Sequence, residues 1–182
     1  MIVMKPRSAH GFTLVELLIV VAVVGVIAAI AIPGLLRARM AGNEAAGIGS
    51  LRAIASGETA FSSSCGRGGY AVSLSQLYAA PSTGGDGFIS PDLALDTTTK
   101  SGYTVVLMVG SRNTVLLPQA STCNSAGDAV ASYFAAADPV AFGKSGGRHF
   151  GTDERGAIFQ NTANTALTAA TLAPAGTVTT LQ

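Results

Sequence analysis

The chain has 182 residues, with 11 basic against 10 acidic side chains and only 12% charged residues overall. That balance gives no support to nucleic-acid binding through a basic face, and so little charge beside 48% hydrophobic residues argues against a disordered chain. The length fits one modest domain plus a membrane segment, and a weakly charged surface without tryptophan suits subunits that pack on one another.

In chain order, a short start with Lys5 and Arg7 leads into Gly11-Phe12-Thr13-Leu14-Val15-Glu16-Leu17, the opening of an apolar run that reaches Pro33. From Phe12 to Pro33 a helix would span about 33 Å, enough to cross a bilayer core. Glu16 is the only acid in that run, and the next charge is Arg37. A carboxylate near the start of a membrane-length helix is expensive unless it finds a partner, so it reads as functional.

Over roughly residues 5 to 40 the segment closely resembles the N-terminus of type IV pilins and of type II secretion pseudopilins. In that family a charged leader ends in glycine, a prepilin peptidase cuts before phenylalanine, and the new amine is methylated. The resemblance makes Gly11 the last leader residue, Phe12 the first mature and N-methylated residue, and Glu16 the fifth. It implies that Glu16 pairs with the amine of a neighbouring subunit during assembly, where a buried ion pair would fix register. It marks Gly25 and Pro33 as the limits of a stretch that bends or melts in the filament. The implied partners are identical or homologous subunits, prepilin peptidase, inner-membrane assembly machinery and membrane lipid.

A competing reading is an ordinary secretory signal with Leu17 to Ala28 as its apolar centre and Ala29-Ile30-Ala31 as its cleavage site. That would release a secreted binding protein or enzyme beginning at Ile32. Glu16, the Gly-Phe junction and the terminal proline stand against it. Charge alone does not orient the helix, because Lys5 and Arg7 are balanced by Arg37 and Arg39. The resemblance places the N-terminus in the cytoplasm and the C-terminal domain in the periplasm, then in a periplasmic or cell-surface filament.

Beyond Pro33, Ile48, Leu51, Ile54, Ala55 and Phe61 share one helical face, so a helix to about Ser62 is expected, bent at Pro33. Gly42, Ala45, Ala46 and Gly49 would allow close helix approach. Residues 62 to 102, rich in Gly, Ser, Thr and Pro, read mainly as loop with a short helix at Ser73 to Tyr78. Tyr103 to Val109 is the strongest strand signal, with Asn113 to Leu117 as its expected partner. Val130 to Ala136 reads as a third strand, and Arg148 to Phe150 with Ala157 to Gln160 as a hairpin around Asp153-Glu154-Arg155-Gly156. The expectation is an α+β fold, a long helix packed on a small antiparallel sheet. Its divisions are the leader 1–11, the transmembrane or filament-core segment 12–33, an amphipathic continuation 34–62, variable loops 63–102, the sheet 103–160 and a Thr/Ala-rich tail 161–182 left as either disordered or an edge extension.

Cys65 and Cys123 both follow the apolar segment and are expected to pair after export, against the alternative of two thiols held apart by the fold. His149 has Asp153 and Glu154 nearby and Ser62 to Ser64 offer hydroxyls, but nothing orders them as nucleophile, base and orienter. His149 reads as a surface or hairpin histidine and the protein as non-enzymatic. No cofactor is expected. Asp86, Asp92, Asp96 and Asp153 could supply oxygen ligands to calcium, which some pseudopilins bind, but no calcium-loop alternation appears and no ligands are assigned. The expected product is a structural subunit of a type IV pilus-like or type II secretion pseudopilus filament.

Overall fold

The structure, a computed structural model, describes residues 11–181. The leader positions before Gly11, with Lys5 and Arg7, and the final Gln182 lie outside the described residues. The chain divides into two compact units, residues 1–38 and 39–182.

Helix α1 (Leu14–Ser64) is 51 residues long and runs through Pro33 without a break in its helical assignment. Its first part is mostly Leu, Val, Ile and Ala and supplies the exposed apolar surface of the first unit. It is long and apolar enough to cross a membrane.

From Arg39 onward the same helix is amphipathic. Its buried residues Glu44, Gly47, Ser50, Leu51, Ile54, Gly57, Glu58 and Phe61 follow steps of three, three, one, three, three, one and three, a single stripe. Leu51, Ile54 and Phe61 are fully buried and anchor that stripe. Burial of each stabilises the fold by about 1.5–3 kcal/mol. Glycine is required where the stripe touches the rest of the domain. A Cβ on Gly47 would lie 3.3 Å from the Tyr103 ring, and one on Gly57 would lie 2.7 Å from the Phe88 carbonyl oxygen.

The stripe packs on a six-stranded antiparallel sheet of order β1-β2-β5-β6-β7-β8. The strands are β1 (Thr97–Lys100), β2 (Tyr103–Val109), β5 (Tyr133–Pro139), β6 (His149–Asp153), β7 (Ile158–Asn161) and β8 (Val178–Thr180). Two strands, β3 (Val115–Leu117) and β4 (Ala129–Val130), pair separately. A short helix α2 (Leu74–Tyr78) is capped by Ser73, whose side chain accepts from the Gln76 N–H. Two 3-10 turns, Pro91–Leu93 and Gln119–Ser121, complete the elements.

Period-two alternation divides the core. Tyr103, Val105, Leu107, Tyr133, Ala135, Ala137 and Phe150 belong to the cluster formed with α1. Phe134, Ala136 and Phe159 belong to a second cluster, covered by Leu167 and Leu172 from the C-terminal segment. The tail is therefore both a cover and, through β8, an edge strand.

Three expectations are corrected. Asn113 to Leu117 does not pair with Tyr103 to Val109, because both edges of β2 are taken, one by β1 and one by β5. At the end of β2 the chain turns away: the Gly110 N–H donates to the Ser132 carbonyl, and a Cβ on Gly110 would fall 2.6 Å from the Ser132 hydroxyl. Val130 to Ala136 is not one strand. It breaks at fully buried Ser132, whose hydroxyl accepts from the Arg112 N–H and donates to the Arg112 carbonyl. Residues 97–100, placed within a loop, form β1, joined to β2 by a two-residue Ser101-Gly102 turn in which both residues have positive φ.

Candidate functional site

The N-terminal end of α1 is closed by a reciprocal cap. The Thr13 N–H and hydroxyl donate to the Glu16 carboxylate at 2.9 and 2.8 Å, and the Glu16 N–H donates back to the Thr13 hydroxyl at 3.2 Å. Two orphan donors of the first turn are thereby satisfied within one chain. The sequence carried this signal as Thr-x-x-Glu before an apolar run, a contact within the chain that the reading of Glu16 as an assembly residue did not include.

Phe12 is 82% exposed, and from Gly11 to Ala38 every residue is exposed except half-buried Ala28. A continuous apolar helix with no cover among the described residues of its own unit calls for lipid or other protein around it. Gly25 and Pro33 both lie inside the helix, and a Cβ on Gly25 would meet nothing within 4 Å.

In the second unit, Cys65 and Cys123 form a disulfide with Cα atoms 4.8 Å apart. It joins the residue following α1 to the segment between the Gln119–Ser121 turn and β4. Glu44 clamps α1 to the β5–β6 connection: its carboxylate accepts from the Gly147 N–H at 2.9 Å and from Arg148 Nε and Nη2 at 2.9 and 2.5 Å. Glu58, fully buried, accepts from the Ala71 N–H at 2.9 Å. Burial pushes its carboxyl up to about 8, and the Ala71 bond pulls it back only in part. Neither glutamate was singled out from sequence, although both fall in phase with the apolar stripe.

The remaining candidates are dispersed. His149 is a hairpin residue but not a surface one: its side chain is 8% exposed, with Nδ1 2.6 Å from Asp138 and its ring stacked on Phe142. Ser63 and Ser64 donate their hydroxyls to the Ala60 carbonyl. Asp92 pairs with Lys100, and that hydrogen bond holds its carboxyl below the ordinary carboxylate range. Asp96 is lowered by its bonds with Ser75, Asp153 pairs with Arg155, and Asp86 lines an open groove beside α1. Among the described residues, no three His, Cys, Asp or Glu side chains are grouped to hold a metal ion.

The N-terminal segment also has relatives. A family model described as the prokaryotic N-terminal methylation motif matches residues 6–32. Over 38 residues the chain is 55% identical to the type IV wide pilus major component PilA4 of Thermus thermophilus. That alignment covers 21% of this chain and 29% of PilA4, so the likeness is confined to about a fifth of the chain and the chain spans less than a third of that relative's length. No solved structure matches the chain. The matched motif covers the start of α1, and the same helix continues into the α+β domain. The likeness to a type IV pilus component and the match to the methylation motif therefore concern a short segment and leave the rest of the chain unmatched.

Proposed function

We propose that this chain is a structural, non-enzymatic subunit of a type IV pilus-like or type II secretion pseudopilus filament. It is made as a single-pass inner-membrane precursor, cut by prepilin peptidase between Gly11 and Phe12, and methylated on the Phe12 amine. It is then drawn from lipid into a filament of identical or homologous subunits by inner-membrane assembly machinery, with the domain from Arg39 onward outside the membrane. No cofactor is invoked.

The observation that carries this reading is the apolar segment that follows the Gly11-Phe12 junction and, Ala28 apart, is exposed from Gly11 to Ala38. Such a surface is satisfied first by lipid and then by the same helices of other subunits. The Thr13–Glu16 cap gives the carboxylate a partner within the chain before assembly. In the filament the neighbour's Phe12 ammonium replaces or joins that partner, as a charge-assisted pair that sets register. Gly25 and Pro33 bound the stretch that yields during packing, since glycine and proline are the residues least able to hold a helix.

The mature N-terminus, read by mass spectrometry after co-expression with a prepilin peptidase, tests the reading. The expected species begins with N-methyl-Phe12, and Gly11→Arg blocks its formation. A chain beginning at Ile32 would instead identify a secreted protein released by an ordinary signal peptidase.

A further inference from the structure

The carboxyl of Glu58 sits in the seam between α1 and the loop that follows it, with no exposed surface. One oxygen accepts a single hydrogen bond, from the Ala71 N–H; the other is buried and has no partner among the described residues. An ionised carboxylate needs several donors or a cation to offset its lost hydration, whereas a neutral acid carries a far smaller desolvation penalty. Among the described residues no Lys, Arg or His donates to Glu58. On α1, Glu44 is committed to Arg148, and Arg52 faces solvent. The titratable wall opposite is itself acidic. Tyr133 of β5, its phenol pushed up by burial and next by Glu58, packs against Tyr70 with ring centroids 5.2 Å apart and planes tilted by 57°, and the weaker Asp153 and Glu154 charges act on it in the same direction. Cys65 is locked in the disulfide and does not titrate.

What Glu58 holds is the loop from Cys65 to Ala71. That loop is tied outward by the disulfide and by the paired hydrogen bonds of Tyr70 with Val130. Inward, the Gly66 and Gly68 N–H groups donate to the Phe61 and Ser62 carbonyls of α1, and the Ala71 N–H donates to Glu58, the one of these ties made to a titratable side chain.

We propose that Glu58 is a proton-operated latch: as a neutral acid it seals the Cys65–Ala71 loop onto α1, and its ionisation at alkaline pH releases that loop.

The proton leaves to solvent, and the carboxylate follows by drawing water into the seam or turning out of it. The folded state holds this proton to about pH 8, whereas an unfolded glutamate releases it near the ordinary value of 4.5. The folded state therefore binds more protons between those values. The latch's contribution is fully present below the unfolded value and is lost as pH rises to about 8. Across that window the unfolding equilibrium constant rises by up to about tenfold per pH unit, and it levels off above the window. The ionised, released form of the native protein grows from roughly one tenth at pH 7 to roughly nine tenths at pH 9.

Arg67, exposed within the loop, supplies the readout, because trypsin cuts after arginine only where backbone is free to enter its cleft. The full chain in detergent micelles is digested at pH 7 and pH 9, and cleavage after Arg67 is compared with that of Glu58→Gln at the same pH. That variant keeps the carbonyl that accepts from Ala71 but cannot ionise. The expected wild-type to variant ratio rises about tenfold from pH 7 to pH 9. An unchanged ratio overturns the latch. Wild-type protein carries a second test should the variant fail to fold. The infrared carbonyl band of a buried protonated carboxyl should be present at pH 6.5 and gone at pH 9.5, and its absence at pH 6.5 overturns the proposal equally.

Discussion

Removing the Cys65–Cys123 bridge should lower stability chiefly through the unfolded chain. The bridge spans 58 positions of sequence, so it closes a loop of about 60 residues in the unfolded ensemble. Chain entropy for a loop of that size amounts to about 4 kcal/mol at 25 °C, or roughly a thousandfold in the unfolding equilibrium constant. The folded side should change little. Gly66 N–H still bonds the Phe61 carbonyl, Tyr70 and Val130 still exchange backbone hydrogen bonds, and Asn124 still donates to the Gln76 carbonyl. Reduced protein should therefore keep its fold and melt earlier by roughly 10–15 °C. The assay is thermal unfolding of the full chain in detergent micelles, oxidised and as the Cys65→Ser/Cys123→Ser double variant, followed by far-ultraviolet circular dichroism. The reducing agent is replaced by the double variant so that conditions match. A double variant that melts within 2–3 °C of oxidised wild type would refute the reasoning, because fixed native contacts and a freer unfolded chain cannot give that result.

Other consequences are equally open to measurement. Glu16→Gln keeps the shape and hydrogen bonding of the side chain but not its charge. Cleavage should be normal while filament yield collapses, since losing one member of a buried pair costs about 3–5 kcal/mol at each junction; wild-type yield by electron microscopy would show that charge pairing is not its role. Gly57→Ala should destabilise the domain by about 1–3 kcal/mol, the added Cβ meeting the Phe88 carbonyl at 2.7 Å and an Ile89 methyl at 2.8 Å. Gly49→Ala, with nothing within 4 Å, should stabilise it by up to about 1 kcal/mol in the same melts, and a shared sign for the two would contradict the packing argument. Glu44→Ala should cost about 1–2 kcal/mol, discounted because Arg148 is 35% exposed and recovers water; no loss in denaturant titration would mean the clamp is idle.

Sequence alone determined the elements whose causes are local. The apolar run of α1, the stripe beyond Pro33, the Tyr103–Val109 strand and the hairpin closed at Gly156 each carry their own periodicity or turn chemistry, and all are present. The Gly11-Phe12-x3-Glu16 pattern, which falls within the matched methylation motif, was legible for the same reason: it is made of neighbouring residues. Pairing was legible only in part. A strand pattern states which side chains face inward but not which edge is free, so Asn113 to Leu117 was assigned to β2 while β1, hidden in a Thr-rich stretch, already occupied that place.

Tertiary structure alone decided what the polar residues of the helical stripe do. Glu44 and Glu58 have the same phase and the same side chain, yet one meets an arginine and the other a single backbone N–H. Likewise, Leu167 and Leu172 in a tail without periodicity acquire their role from the apolar outer face of the sheet they cover. Local sequence sets backbone preference and phase over a few residues; partners distant in the chain are brought together by packing, and packing sets the charge state of a buried acid.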